Sequence, residues 1–431
     1  MGQFFYLWVT LDPYVPEESV SVDPGSNLLN QLVAITLFGG MIFYVIISPL
    51  RKLVLQPRPL IMLLLTCLLL TGLFSPQPVV SLKQFVLSGI LLFNASVFLL
   101  LPRSEEQFCK LMIAGLFIML GFAYFGVLFK PLQAIHQYSV ALGNELVGNW
   151  RGHFTHKNVA SAAMMMCSCF ALYVKDKGFY LSGWLLLLLA LFFLVHTGGK
   201  TSTAMFPLIL LIAFIFEKIA LSRWPIVLGG VLAINFLTVG AALIPAVYEF
   251  IESLGIDPTF TNRSDIWRFA VRAIADRPFL GHGLHGFWLS ETLLNNDTVE
   301  NWSPRAFNGH NAWVDTLINL GVIGFILIFI WVIILPLWYI RRISQNNSYS
   351  PLVRLYVRIW LYGLFSSALE SVFFETGSLL WFSIMMAIFG LRLQTVAIPV
   401  SENTDVTMHN SIHEVSNLKY SNNTLERGSE V

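Results

Sequence analysis

Long apolar runs, interrupted by short polar and charged clusters, dominate the chain. A helix that crosses a bilayer needs ~20 mostly apolar residues. Eleven runs approach or meet that length, near residues 29–50, 59–75, 84–101, 109–130, 158–174, 179–197, 203–217, 224–246, 310–338, 352–369 and 376–393. The run at 203–217 is the shortest. The longest interruption, about 60 residues, separates the eighth run from the ninth. This pattern predicts an all-α, polytopic membrane helical bundle of about eleven (ten to twelve) transmembrane helices. One large outer loop would carry short amphipathic helices. The chain then divides into N-terminal transmembrane helices (1–246), the large loop (247–309), C-terminal transmembrane helices (310–395) and a tail (396–431). The tail is rich in Ser, Asn and Thr and reads as a disordered cytoplasmic end.

Composition narrows the class. Of 431 residues, 56% are apolar and 12% charged, against ~25% charged in soluble domains. Disorder over most of the chain is excluded by that hydrophobicity. The net charge of +1 leaves no basic footprint for nucleic acid. The four cysteines, Cys67, Cys109, Cys167 and Cys169, lack metal-ligand spacing and read as small core residues. The first 50 residues hold no Lys or Arg, which argues against a cleaved signal peptide.

The scarce charge orients the helices. Arg51, Lys52 and Arg58 lie in the first loop, Arg103 and Lys110 at the third, Lys175 and Lys177 in the fifth, and Lys218 and Arg223 in the seventh. Arg341, Arg342, Arg354 and Arg358 lie in or beside the ninth. The positive-inside rule puts these odd loops in the cytoplasm, with the N-terminus outside and the C-terminus inside. Three outer segments nevertheless carry cations: Lys130, Arg151 and Lys157; Lys200; and Arg263, Arg268, Arg272, Arg277 and Arg305 of the large loop. A long loop can cross regardless of its charge. The sharper reading is that these cations line an outward-facing anion site.

Three stretches carry the candidate chemistry. Asn262-Arg263-Ser264-Asp265-Ile266-Trp267 reads as a helix start, with Ser264 as N-cap and Asp265 in the first turn. Arg263 would precede that helix, where free N–H groups favour an anion and its fork can hold a phosphate bidentately. Asp265, Arg268 and Arg272 share a face and could simply pair. Gly281, Gly283 and Gly286 fit GxGxxG, yet no βαβ unit surrounds them, which rejects a dinucleotide site. They read as a tight turn passing close to the membrane or another loop. Asn311, Asp315 and Asn319 form a polar stripe down the outer end of the ninth span, a placement that favours a bundle interior or a watery cavity. His310 lies at its mouth and is suited to proton transfer. On the same side lie His156, Lys157 and Asn158 at the start of span five, Lys200 between spans six and seven, and Glu370 and Glu375 in the last outer loop. For each the bland alternative is a cap or an interfacial anchor. Charges near the middle of spans are scarce, which argues against ion-coupled transport.

In order along the chain, Gly152–Asn158 resembles a "GxFxHKN" pattern. Arg263-Ser264-Asp265-Ile266-Trp267 with Pro278-Phe279-Leu280-Gly281-His282-Gly283 resembles "R(T/S)xxW…P(L/F)xGxG". His310-Asn311 with Asp315, Leu320-Gly321 and Gly324 resembles an "HN" opening and later "LGxxG". Together they resemble the O-antigen ligase and O-antigen polymerase superfamily, most of all its exopolysaccharide polymerase branch. The resemblance spans roughly residues 150–330 and implies a polytopic glycosyltransferase of the bacterial inner membrane acting on undecaprenyl-pyrophosphate-linked sugars. It puts an essential histidine on His310 and an essential arginine on Arg263. A second family arginine falls where this chain has Lys200, which keeps the charge and loses the fork geometry.

On that reading an acceptor hydroxyl attacks the anomeric carbon and undecaprenyl pyrophosphate leaves. Arg263, Lys200 and the helix N-terminus neutralise the developing charge. His310 takes the acceptor proton or orients the pyrophosphate, and Glu375 is the second choice of base. His156, Lys157, Asn158, Arg268, Asn311 and Asp315 join the substrate-binding set. No Asp-x-Asp pair is present to hold Mg²⁺, so neither a metal nor a cofactor is expected. The expected partners are the bilayer, the lipid-linked donor, a saccharide acceptor, and chain-length regulators or export proteins. A ligase acting on a lipid core or a protein shares this donor chemistry, and a flippase of lipid-linked sugars is the non-enzymatic rival.

Overall fold

The computed structural model describes residues 1–15, 28–138, 146–260, 263–288, 308–345 and 349–396. Within them the chain is helical, with one isolated bridge between Ile135 and Trp150. The helices are α1 (Gly2–Trp8), α2 (Leu28–Ile47), α3 (Arg58–Leu73), α4 (Pro78–Phe98), α5 (Glu105–Phe129), α6 (Pro131–Ala134), α7 (Lys157–Asp176), α8 (Tyr180–His196) and α9 (Lys200–Lys218). After them come α10 (Gly230–Leu243), α11 (Pro245–Ser253), α12 (Arg263–Asp276), α13 (Ala312–Gln345), α14 (Pro351–Ser366) and α15 (Leu379–Val396).

Every one of the eleven apolar runs coincides with a helix. Eight are long and apolar enough to cross a membrane, α10 doing so as part of Ala220–Leu243, and α3 and α8 are shorter apolar helices. The eleventh, α14, has 16 residues and carries Arg354 and Arg358. The run at 203–217 extends to the 19 residues of α9, with Pro207 inside it. The protein is thus a multi-pass membrane protein. Helix α1 was not anticipated, because seven residues are too few to register as a span. Its Phe4 and Trp8 are buried, and they stack on each other.

The core lies along α7, α14 and α15. In α7 the small residues Ala160, Ser161, Ala162 and Ala163 are all buried, allowing close packing of α8 and α14. The four cysteines are buried and free. Outward faces stay apolar, as at Leu32, Phe43 and Ile46 of α2 and at Leu181, Leu188 and Phe192 of α8. Lipid is the solvent such faces require.

Helix α13 is not the continuous rod its apolar run suggested. It breaks at Gly321, where φ is 62° and ψ is −167°, a region essentially reserved for glycine. The break changes hydrogen-bond partners. Val322 N–H donates to Pro278 O (2.8 Å), while the carbonyls of Ile318 and Asn319 accept from His282 N–H (2.8 Å) and Gly283 N–H (2.9 Å). The glycine-rich turn therefore passes close to another segment, the first part of α13. A Cβ on Gly281 would lie 2.6 Å from Ile318 O, and one on Gly321 would lie 2.3 Å from Phe279 O. Lower in α13 a π turn spans Ile330–Ile334. Pro336 has no N–H for the Val332 carbonyl one turn back, and the Trp360 indole of α14 donates to that oxygen instead (2.7 Å).

Two sequence expectations change, for Ser264 and Arg151, and one, the bundle-interior placement of the polar stripe, is met. Helix α12 already includes Arg263, so Ser264 lies inside the first turn, buried, and not at the N-cap. The stripe of Asn311, Asp315 and Asn319 is buried within the protein. Arg151, grouped with the outer cations, is buried as well, and donates to the carbonyls of Val15, Phe154 and Thr155, so it staples loops together. Asn262, Arg305 and the tail from residue 397 lie outside the described residues.

Candidate functional site

Four segments meet at one end of the bundle: the starts of α7 and α12, the turn at 308–311 before α13, and the 367–378 segment between α14 and α15. They converge on Glu370. Its Oε1 accepts from Asn158 Nδ2 (3.2 Å) and from Arg263 Nη2 (3.2 Å). Its Oε2 lies 3.8 Å from His310 Nδ1. Arg263 Nη1 also donates to the carbonyl of Leu369. The side chains remain 20% (Arg263), 31% (Glu370) and 28% (His310) exposed, so the cluster borders an opening and is not sealed in the core. Burial pushes the Glu370 carboxyl up, but the His310 ring and the Arg263 charge more than offset this and hold it below the usual carboxylate range.

A frame of hydrogen bonds holds the turn that carries His310. Gly309 N–H (2.9 Å) and Trp288 Nε1–H (3.0 Å) donate to Asp315 Oδ1, and Ser371 Oγ donates to its Oδ2. Trp267 Nε1–H donates to Gly309 O (2.9 Å). On the other side Asn311 caps α13, its Oδ1 accepting from Trp313 N–H (3.0 Å) and Val314 N–H (3.1 Å). Asn311 Nδ2 reaches Ala368 O (2.9 Å) and Asn235 Oδ1 (2.8 Å). Ala312 N–H donates to Ser367 O (2.8 Å). His310 is held between these clamps at φ 47°, a left-handed conformation uncommon for histidine. Such strain persists only where its surroundings over-determine it.

The remaining sequence candidates occupy supporting or peripheral places. His156 is the N-cap of α7, its Nδ1 accepting from Asn158 N–H (3.2 Å). Lys157 opens α7, and its N–H donates to His136 Nε2 (3.1 Å). Arg268 is tied to Ala242 O (2.8 Å) and to Asp265 (2.8 Å), beside a cleft of about 370 Å³ lined also by Ile244, Tyr248 and Glu249. Lys200 is exposed at the start of α9. Two residues on, Ser202 bonds to Ser161 (3.0 Å), which donates to Asn158 O (2.9 Å), so Lys200 stands beside the start of α7. The structure pairs it with no carboxylate among the described residues. Glu375 is half-buried, and burial pushes its carboxyl up, with His285 opposing and Asp315 reinforcing. Among the described residues no three His, Cys, Asp or Glu side chains gather as a metal set.

Sequence reasoning noted Glu370 only as the flank of a loop. It named Trp267 only as the tryptophan of the R(T/S)xxW pattern and missed Trp288; both indoles brace the His310 turn. The only sequence signal of Trp288 was its aromatic character in a loop otherwise rich in polar residues.

Residues 185–329 match the family model described as O-antigen ligase. A protein of Rickettsia conorii provisionally named a polysaccharide ligase is 24% identical over 245 residues, which are 50% of this chain and 58% of that protein. A similarly named protein of Rickettsia felis is 23% identical over the same shares. The exopolysaccharide production protein ExoQ of Rhizobium meliloti is 28% identical over 105 residues, 24% of this chain and 23% of that protein. The chain thus spans little more than half the length of these two Rickettsia relatives. The matched segment holds Lys200, Arg263, Arg268, His310, Asn311 and Asp315, whereas Asn158 and Glu370 lie outside it. The segment that supplies Arg263 and His310 is therefore the part of the chain that is similar to the O-antigen ligase family.

Proposed function

We propose that the protein is a membrane glycosyltransferase that moves saccharide from a polyprenyl-pyrophosphate donor, of the undecaprenyl class, onto an acceptor hydroxyl. It would work at the outer face of a bacterial inner membrane, with its N-terminus outside and its C-terminus in the cytoplasm. The observation that carries this reading is the convergence of Arg263 and His310 on Glu370 at one half-buried end of an apolar bundle. Arg263 stands in the first turn of α12, where the positive end of the helix dipole favours an anion. Two of its five N–H donors are engaged on Leu369 and Glu370, and the others can serve a phosphate. In the transfer, the anomeric carbon–oxygen bond to pyrophosphate breaks as the acceptor oxygen bonds to that carbon. The acceptor proton passes to His310 Nε2, and the pyrophosphate carries away the electron pair beside Arg263 and Lys200. The exposed apolar helix faces suit the polyprenyl chain.

Polymerisation of an exopolysaccharide repeat unit is the first reading. A ligase acting on a lipid core or a protein is the second, favoured by the names of the Rickettsia relatives. Supplying the purified protein with one lipid-pyrophosphate repeat unit separates them. A ladder of lengths supports the polymerase, and turnover only after addition of lipid core or protein supports the ligase. Movement of labelled donor across vesicles with no new glycosidic bond would overturn both in favour of a flippase. Chain-length regulators and export proteins would be partners of the polymerase form.

A further inference from the structure

We infer that Glu370 is the positioning residue of this site: its carboxylate fixes the His310 imidazole from the Nδ1 side and the Arg263 guanidinium from the Nη2 side, and so decides which imidazole nitrogen faces the acceptor. This rests on the proposed transfer reaction and adds to it a residue outside the segment that matches the O-antigen ligase family model.

The geometry divides the carboxylate between two tasks. Oε1 serves Asn158 and Arg263, while Oε2 is left to His310 Nδ1 at 3.8 Å. That spacing is longer than a hydrogen bond, and such contacts in substrate-free sites often tighten in the complex. The backbone that carries Glu370 is fixed to the same parts as the histidine. Glu370 N–H donates to Ser366 O (2.9 Å), Leu369 O accepts from Arg263, and Ala368 O accepts from Asn311, the residue next to His310. Glu370 and His310 are therefore anchored to the same backbone frame.

The choice of tautomer follows. With Nδ1–H directed at a carboxylate, Nε2 keeps its lone pair and can take a proton from a hydroxyl. Glu370 itself is a poor base. Its carboxyl is held below the ordinary range by His310 and Arg263, whereas a general base works best with a pKa near the working pH. Its role is exerted through His310.

The experiment uses the full-length protein in lipid nanodiscs with a purified lipid-pyrophosphate repeat unit as donor. Glu370→Gln preserves size and the Oε1 acceptor, but it turns an amide N–H₂ toward Nδ1 and selects the opposite tautomer. The expected result is a ~10²–10⁴-fold lower kcat, the range for a misoriented catalytic histidine, with the donor KM changed less than ~tenfold. Glu370→Asp keeps the charge one methylene further back and should recover part of that kcat. In parallel, ¹⁵N-histidine NMR, assigned by the signal lost in His310→Ala, reads the tautomer without any turnover. The wild type should show the Nδ1–H form and Glu370→Gln the Nε2–H form. A wild-type kcat in Glu370→Gln, an unchanged tautomer in that variant, or a wild-type kcat in Glu370→Asp would each overturn the inference. Full activity of His310→Ala would instead overturn the proposed reaction, and the tautomer measurement would still judge Glu370.

Discussion

The two ends of this bundle use charge in different ways. At the end away from Glu370, carboxylates are closed off by cations. Glu217 takes both Nε (2.9 Å) and Nη2 (2.7 Å) of Arg354. Asp176 lies 3.4 Å from Lys175 and 3.9 Å from Arg358. Glu105 lies 3.3 Å from Lys177 and accepts from Tyr173 (3.3 Å). At the other end a single carboxylate is divided among a guanidinium, an imidazole and an amide. Every described histidine lies at that end too: His136, His153, His156, His196, His282, His285 and His310. An Arg–Glu fork satisfies itself and fixes helices. A carboxylate shared with a histidine keeps beside it a ring that can both donate and accept a hydrogen bond. The contrast teaches that few charges suffice for both jobs when their partners differ.

The sharpest way to break the contrast is to remove the shared cluster. His310→Ala and Arg263→Ala should each lower turnover by ~10²–10⁴-fold at normal protein levels. The glycan length profile of a complemented deletion strain reads this, and full activity in both variants would end the comparison.

The next effect tests the scaffold. Gly321→Ala must adopt φ 62° with its Cβ 2.3 Å from Phe279 O. A cost of about 1–3 kcal/mol from conformation, plus that clash, should reduce accumulation and melting temperature and abolish activity. Gly178→Ala is the control from the other end, with φ 93° and nothing within 4 Å of its Cβ. It should show only the conformational part, measured by thermal melting in detergent.

Acid should separate the ends through buried histidines. His136 is pushed down to about 4 by burial, helped by Arg151 and Lys157. His153 is pushed down to about 4 by burial, with its bond to Trp8 O opposing. Unfolded histidine titrates near ~6.5. Between that value and about 4 the unfolded chain binds more protons, so stability falls as pH is lowered through this window. The melting temperature should drop between about pH 7 and about pH 5. Joint replacement of both histidines by Gln should flatten that slope, and an unchanged slope would refute the assignment.

The smallest effect belongs to the closed pairs. Arg354 and Glu217 side chains are 35% and 22% exposed, so solvent screens them. Arg354→Ala should cost roughly 0.5–1 kcal/mol in a detergent melt, with turnover per molecule intact. A loss of turnover matching that of Arg263→Ala would erase the distinction between the ends.

The helices were legible because lipid-facing runs such as α2 and α5 need no tertiary information to identify them. Gly281 and Gly321 were legible as motif positions, but not as two halves of one contact, since the hydrogen-bond exchange between Pro278, Val322 and Ile318 joins distant segments. Arg151 shows the reverse case. It counted as an outer cation by sequence, and the carbonyl of Val15 together with those of Phe154 and Thr155 in its own loop turned it into a structural staple. Glu370 carried no motif of its own, and only its neighbours give it meaning.

The sequence by itself determined the class, the spans and the shortlist that includes Arg263 and His310. Hydrophobic periodicity and the rarity of charge are local properties, written into consecutive residues. The tertiary structure decided which polar residues meet, which of them brace the backbone, and that Glu370 joins the others. Those outcomes depend on helix packing and on the break in α13, which bring together segments that the chain keeps far apart.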